Sequence, residues 1–217
     1  MIFADRYEAG RKLAERLLRF KDRRPVVLAL PRGGVPVGYE IARALRAPLD
    51  LMLVRKLGAP GQPELALGAI ALGAEVETLT DPRLLAELGV TSATLASIVA
   101  REREEIERRR ELYLGDRPSV PLVGCTAILV DDGIATGATM RAALIATRQR
   151  NPAFLVLAVP VAPPDTIARL RREADEIVCL AEPRSFLSVG QFYRDFAQLE
   201  DREVLAMLAE ARQFVSD

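Results

Sequence analysis

The chain has 217 residues, 50% of them hydrophobic and 28% charged, with 30 basic side chains against 30 acidic ones. That length suits one α/β domain with an insertion or a small appended lobe, and the composition excludes disorder and any overall field that would draw the chain to nucleic acid or an anionic membrane. Histidine is absent, which removes the commonest general base, any Ser-His or Cys-His nucleophile pair and the commonest zinc ligand.

The N-terminus carries Asp5, Arg6 and Glu8 and lacks the basic-then-apolar layout of a signal peptide. No apolar stretch is long enough to span a bilayer, so a cytoplasmic location is expected. Residues Asp5 to Phe20 read as an amphipathic helix with Leu13, Leu17 and Leu18 on one face. Pro25 ends that pattern. Val26 to Leu30 is then a continuous apolar run, as in a strand buried on both faces of a parallel sheet. Pro31-Arg32-Gly33-Gly34 is a turn, and Val35 to Leu45 resumes helical periodicity. Leu49 to Val54 is a second buried strand. Arg55 to Glu64 has two glycines, two prolines and the cation pair Arg55-Lys56, and reads as an exposed, mobile loop. Leu67 to Leu72 and Val76 to Leu79 are candidate strands.

Thr91 to Leu114 has strong helical propensity. Its pairs Glu104/Arg108 and Glu105/Arg109 stand at i,i+4 in the favourable order, each worth ~0.3 kcal/mol. Leu95, Ile98, Val99, Glu102 and Ile106 share a face. This is a solvated helix laid on the domain or on a partner subunit, and not a nucleic-acid-binding element, because acids alternate with its arginines. Ala127 to Val130 is a buried strand, Ala138 to Gln149 a helix, Phe154 to Val159 a strand, Asp165 to Arg172 a helix and Glu176 to Leu180 a strand. Strand and helix alternate, which predicts right-handed βαβ units and a parallel sheet with helices on both faces. Phe186, Phe192, Tyr193 and Phe196 cluster in a chain poor in aromatics, and Asp201 to Phe214 is a closing helix. Cys125 and Cys179 lie in apolar runs and read as reduced core thiols.

The segment that carries chemistry is Ile128 to Met140, with the core Val130-Asp131-Asp132-Gly133-Ile134-Ala135-Thr136-Gly137-Ala138-Thr139. Ligands of parallel sheets sit beyond the carboxyl ends of the strands. Asp131 and Asp132 stand there, and paired carboxylates accept from vicinal sugar hydroxyls. The small residues after them lead into a helix, where backbone N–H groups and the helix dipole favour a phosphate, and Thr136 and Thr139 add hydroxyl donors. Carboxylates for a diol beside amides for a phosphate describe a ribose 5-phosphate site. A Walker loop is excluded because no Gly-Lys occurs, and Gly33, Gly34 and Gly38 do not fit the dinucleotide fingerprint.

Strand, acid pair and Thr-Gly-x-Thr loop together resemble the signature of type I phosphoribosyltransferases that binds PRPP, 5-phosphoribosyl 1-diphosphate. The order of elements agrees from about Val26 to Leu180. The resemblance implies a Rossmann-like α/β fold in a single domain over residues 1–217, with a helical insertion at 91–114 and a C-terminal hood segment and helix at 185–217. It implies that Asp131 and Asp132 bind the ribose hydroxyls, and that Gly133 and the loop Ala135, Thr136, Gly137, Ala138 and Thr139 hold the 5-phosphate. Arg32, Gly33 and Gly34 correspond to the diphosphate-binding loop, and Arg55 and Lys56 to the cations of a flexible catalytic loop. Phe186 to Phe196 corresponds to the acceptor hood, with a core or subunit-contact role equally open. The family activity is Mg²⁺-dependent transfer of ribose 5-phosphate to a nitrogenous acceptor, in a homodimer. Mg²⁺ rides on PRPP without direct protein ligands, with water-mediated help from Asp131. One departure is Ala135, which stands where members specific for 6-oxopurines have an aspartate, so those acceptors do not follow. A sensor that binds PRPP or a nucleotide without turning it over is the alternative on the same fold.

Overall fold

The computed structural model describes residues 1–72 and 76–215. Continuous apolar runs form the centre of the molecule. β1 (Pro25–Ala29) and β6 (Thr126–Val130) are buried at every position, and β2 (Leu49–Leu51), β7 (Phe154–Val161) and β8 (Glu176–Ala181) complete a five-stranded sheet in the order β2-β1-β6-β7-β8. All neighbours in it are parallel.

Side chains alternate between the faces with period two. Val27, Ala29, Ile128, Val130, Val156 and Ala158 enter one core with α1 (Arg6–Leu17), α2 (Gly34–Leu45) and α7 (Asp201–Ala211). Val26, Leu28, Ala127, Leu129, Leu155 and Leu157 enter a second core with α5 (Ala138–Gln149) and α6 (Pro164–Leu170). Both faces of the sheet are therefore covered by helices, as the strand–helix alternation predicts. No helix among the described residues is long and apolar enough to cross a membrane.

One expectation is corrected. Residues 55–64 do not form an irregular loop. After Leu51 the chain leaves the parallel sheet and enters β3 (Val54–Ala59), which turns at Pro60-Gly61 into β4 (Gln62–Leu72) and continues to β5 (Val76–Thr80) in a separate antiparallel sheet. Leu57 and Ala59 are buried on alternate positions of β3, so an apolar period of two underlies the glycines and cations that suggested a loop. The run from Leu49 is correspondingly split into two strands. A short α3 (Pro82–Glu87), started by the Asp81 cap, follows β5 and has no counterpart in the sequence reading.

The charged helix is α4 (Ser92–Tyr113), capped by Thr91. Its stripe is as expected: Ile98, Glu102 and Ile106 are buried, and Leu95 and Val99 pack at the edge. It docks on the β3–β4 hairpin and on α7. Of the expected surface pairs, Glu105–Arg109 forms at 2.7 Å, whereas Arg108 turns to Glu105, at 2.8 Å, and not to Glu104. Both cysteines are free thiols. Cys125 is buried, and burial pushes the half-buried Cys179 thiol up to about 11, so it stays protonated near neutrality.

Candidate active site

Three chain segments meet at the carboxyl ends of β1, β2 and β6. A small cavity of about 80 Å³ lies between them, lined among others by Pro31, Arg55, Ile106, Arg109, Asp131 and Thr139. This is the position at which open parallel sheets bind ligands.

The turn between β6 and α5, expected to hold a phosphate, is shaped by its backbone. Gly137 caps α5 at φ +83, a left-handed conformation, and a Cβ there would stand 2.8 Å from Thr166 Cγ2, so glycine is required on two counts. Ala135, Thr136 and Ala138 are exposed, which leaves the N-terminus of α5 open to an anion. Helix α6 braces the loop from behind. The buried Thr166 donates from Oγ1 to the Ala135 carbonyl at 2.8 Å, and Arg169 donates to Thr166 Oγ1 at 2.9 Å and to the Thr136 carbonyl at 3.3 Å. The loop separates the small cavity from a broad cleft of about 1080 Å³ between β4, α5 and α6.

The acid pair divides its tasks. Asp131 faces the cavity, and its Oδ1 accepts from the Asp132 backbone N–H at 2.9 Å. Asp132 turns the other way, where its Oδ2 accepts from Arg6 Nε at 2.8 Å, both side chains being nearly buried. Crowding by protein pushes the Asp131 carboxyl well above the usual carboxylate range, and the Asp132 charge adds to the rise. Burial raises Asp132 too, but the hydrogen bond and charge of Arg6 oppose it. Of the two carboxyls, Asp131 is therefore the one whose charge is less favoured, and Arg6 favours the charge on Asp132.

The diphosphate-type loop abuts this pair. A Cβ at Gly33 would fall 2.1 Å from Asp132 Oδ2, so only glycine admits the carboxylate beside the loop. Gly34 begins α2 against the Val130 carbonyl. The Pro31–Arg32 peptide is cis. Arg32 is partly exposed and lies 3.7 Å from Asp201 of α7, which also accepts from the Tyr113 hydroxyl. Burial and that hydrogen bond push Tyr113 up to about 12, so it remains a donor. Arg55 lines the cavity and is held by the buried Glu102 of α4 at 2.8 Å. Lys56 is the next residue of β3, so strand alternation puts it on the opposite face of the hairpin from Arg55.

The site contains residues that sequence reasoning did not assign to it. Arg6, 126 positions before Asp132, also donates to the Ala197 carbonyl at 2.9 Å and stacks 3.9 Å from the centre of the Phe196 ring. No local pattern marks it. Tyr193 donates to the Asp132 carbonyl at 2.6 Å, and burial keeps its hydroxyl protonated. It belongs to the aromatic cluster noted in the sequence. There Phe3, Phe192 and Tyr193 are buried together, with Phe186 and Phe196 at the edge, so the segment forms a small core of its own beside the acid pair. Glu102 did leave a signal, as a charged residue on an otherwise apolar stripe.

A family model for the phosphoribosyl transferase domain matches residues 3–197. The chain belongs to the phosphoribosyl transferase family. Two proteins of Mycobacterium tuberculosis carrying the name "putative phosphoribosyl transferase" are each 46% identical to it over 212 residues, 98% of this chain and 47% of their own length. The chain thus spans about half the length of the curated relatives it matches. A crystal structure of a protein from Thermus thermophilus superposes with a TM-score of 0.84 at 45% identity, covering 97% of this chain and 99% of that one. The five-stranded parallel sheet flanked by helices is the type I phosphoribosyltransferase fold, as the signature implied. Within that family, Ile128 to Met140 occupies the strand, turn and helix start described above.

Proposed function

We propose that this member of the phosphoribosyl transferase family transfers ribose 5-phosphate from PRPP to a nitrogenous acceptor and releases diphosphate. One observation carries this reading. Thr139 in the first turn of α5, the cavity-facing Asp131 and the cation Arg55 line one cavity at the carboxyl ends of the parallel strands. In the reaction the bond from the anomeric carbon to the diphosphate oxygen breaks, its electron pair leaves with diphosphate, and the acceptor nitrogen bonds to that carbon and loses its proton. The transition state is oxocarbenium-like, so positioning and charge stabilisation supply most of the rate. The loop Ala135 to Thr139 anchors the 5-phosphate, Asp131 accepts from the ribose hydroxyls beside Asp132, which Arg6 holds behind it, and Arg32 and Arg55 stabilise charge on the leaving group.

No group of three or more acidic or thiol ligands able to cage a metal occurs among the described residues. The donor set would suit an Mg²⁺ ion that arrives on PRPP, with Asp131 as the residue that would help to hold it. Bound in that way, Mg²⁺ neutralises diphosphate charge. Two free thiols are consistent with a reducing cytoplasm.

A PRPP sensor is the second reading. It is favoured by the exposed Ala135, which offers no acid or base to an incoming acceptor. Diphosphate release from PRPP and Mg²⁺, measured against a panel of purines, pyrimidines and small amines with an acceptor-free control, separates the two. Release that depends on one acceptor supports transfer. PRPP binding without release for any acceptor supports the sensor, and absence of PRPP binding overturns both.

A further inference from the structure

Helix α4 is the insertion for which the sequence offered only a covering role. Glu102, Ile106, Arg109 and Tyr113 follow one another at spacings of four and three, and so share the face that α4 turns inward. Glu102, Ile106 and Tyr113 are buried, and Arg109 is 29% exposed and lines the cavity with Asp131 and Thr139. An arginine on the inward face of a helix has a cost unless its charge is answered. Among the described residues it is answered by one hydrogen bond, from Arg109 Nε to Glu105 Oε1 at 2.7 Å. The two terminal nitrogens of the guanidinium remain for another partner. Glu105 does not depend on Arg109, because Arg108 supplies it with bonds of 2.8 and 3.0 Å.

The arrangement repeats around the site. Arg32 lies near Asp201, Arg55 is held by Glu102 and Arg109 by Glu105. Three arginines come from three separate parts of the chain, each beside a carboxylate. Planar guanidinium groups are the side chains best suited to an oligophosphate.

We propose that Arg109 binds the diphosphate of PRPP alongside Arg55, which makes α4 a wall of the active site. This deepens the transferase reading and rests on it. Calorimetry on the full chain with three probes, PRPP–Mg²⁺, diphosphate–Mg²⁺ and ribose 5-phosphate, tests it. Arg109→Gln is expected to weaken PRPP and diphosphate by at least ~10-fold while ribose 5-phosphate stays within ~2-fold, since a lost charge-assisted hydrogen bond has that magnitude. Arg109→Lys should restore part of the loss. Arg103→Gln, the same charge change at an exposed position of α4, should leave all three affinities unchanged. Unchanged diphosphate and PRPP affinity in Arg109→Gln overturns the inference while leaving the transferase reading standing. Equal loss of all three ligands also overturns it, because the role would then be structural. Failure of the unaltered protein to bind PRPP overturns the transferase reading and this inference with it.

Discussion

The two sides of the candidate site are held in place by different means. On the side proposed to hold the 5-phosphate, Ile128 to Met140 is one continuous stretch: a buried strand, a glycine with positive φ, and carbonyls bonded by Thr166 and Arg169. On the side where we propose that diphosphate binds, Arg32, Arg55 and Arg109 are placed by side-chain ion pairs to carboxylates, in the case of Arg55 and Glu102 across 47 residues of sequence. Backbone placement is rigid and local, and it suits a group that stays bound throughout a reaction. Ion-pair placement can be exchanged for ligand charge, and it suits a group that departs.

The contrast predicts that backbone changes on the phosphate side have the largest effects. Gly137→Ala combines a disfavoured φ with a Cβ 2.8 Å from Thr166, a strain of ~1–3 kcal/mol. It should lower ribose 5-phosphate affinity by ~10–100-fold, measured by calorimetry, and reduce the melting temperature. A variant that binds normally would show that the loop is not held by its backbone.

Asp131→Asn should separate binding from stability. The folded-state pKa of Asp131 is raised, so its contribution to stability is present below the unfolded pKa and is lost as pH rises through the folded value. Asn cannot ionise, so the ligand-free variant should melt higher than the parent at neutral pH, by ~2–4 °C for each kcal/mol recovered. The two should converge at acid pH. PRPP affinity should fall by ~10-fold. In the parent, PRPP affinity should climb with pH until Asp131 is ionised in the free protein and then level off. A pH-independent affinity would remove Asp131 from hydroxyl recognition.

A smaller effect is expected behind the loop. Thr166→Val removes the donor to the Ala135 carbonyl, and should raise the KM for PRPP by ~3–10-fold with little change in kcat. Thr166→Ser should restore it. A kcat loss without a KM change would mean that α6 does not position the phosphate. The smallest effect belongs to Arg141→Ala, which breaks an exposed pair with Glu173 at 2.9 Å. Stability measured by urea denaturation should change by less than ~1 kcal/mol.

The same contrast decides what could be read from sequence. The parallel sheet was legible because β1 and β6 are uninterrupted apolar runs, and the strand–turn–helix geometry of Ile128 to Met140 because a strand, two acids, small residues and a helix follow one another within thirteen positions. The hairpin was obscured by Pro60, Gly61 and the adjacent cations, which outweighed the alternation of Leu57 and Ala59. Arg6 could not be assigned, because its partner Asp132 lies 126 positions away and is brought to it by tertiary packing alone, and the i,i+4 pair of Arg109 with Glu105 was legible while the cavity that Arg109 lines was not. Glu102 shows how much signal such a residue leaves: its charge on an apolar stripe implies a buried partner without saying which one.

The pairing of Phe3 with the aromatic segment bears on the order in which the protein is completed. Phe3 donates to the Phe192 carbonyl at 2.8 Å and accepts from Arg194 at 2.9 Å, and Ala4 accepts from Asp195 at 2.9 Å. Chains are synthesised from the N-terminus, so residues 3 and 4 leave the ribosome before residues 192–195 and wait for them with these backbone groups served by water. The ring of contacts around Arg6 and Asp132 therefore closes only after residues 192–195 have emerged, and a nascent chain halted before that point can carry the complete turn from β6 to α5 while its acid pair still lacks the aromatic wall beside it.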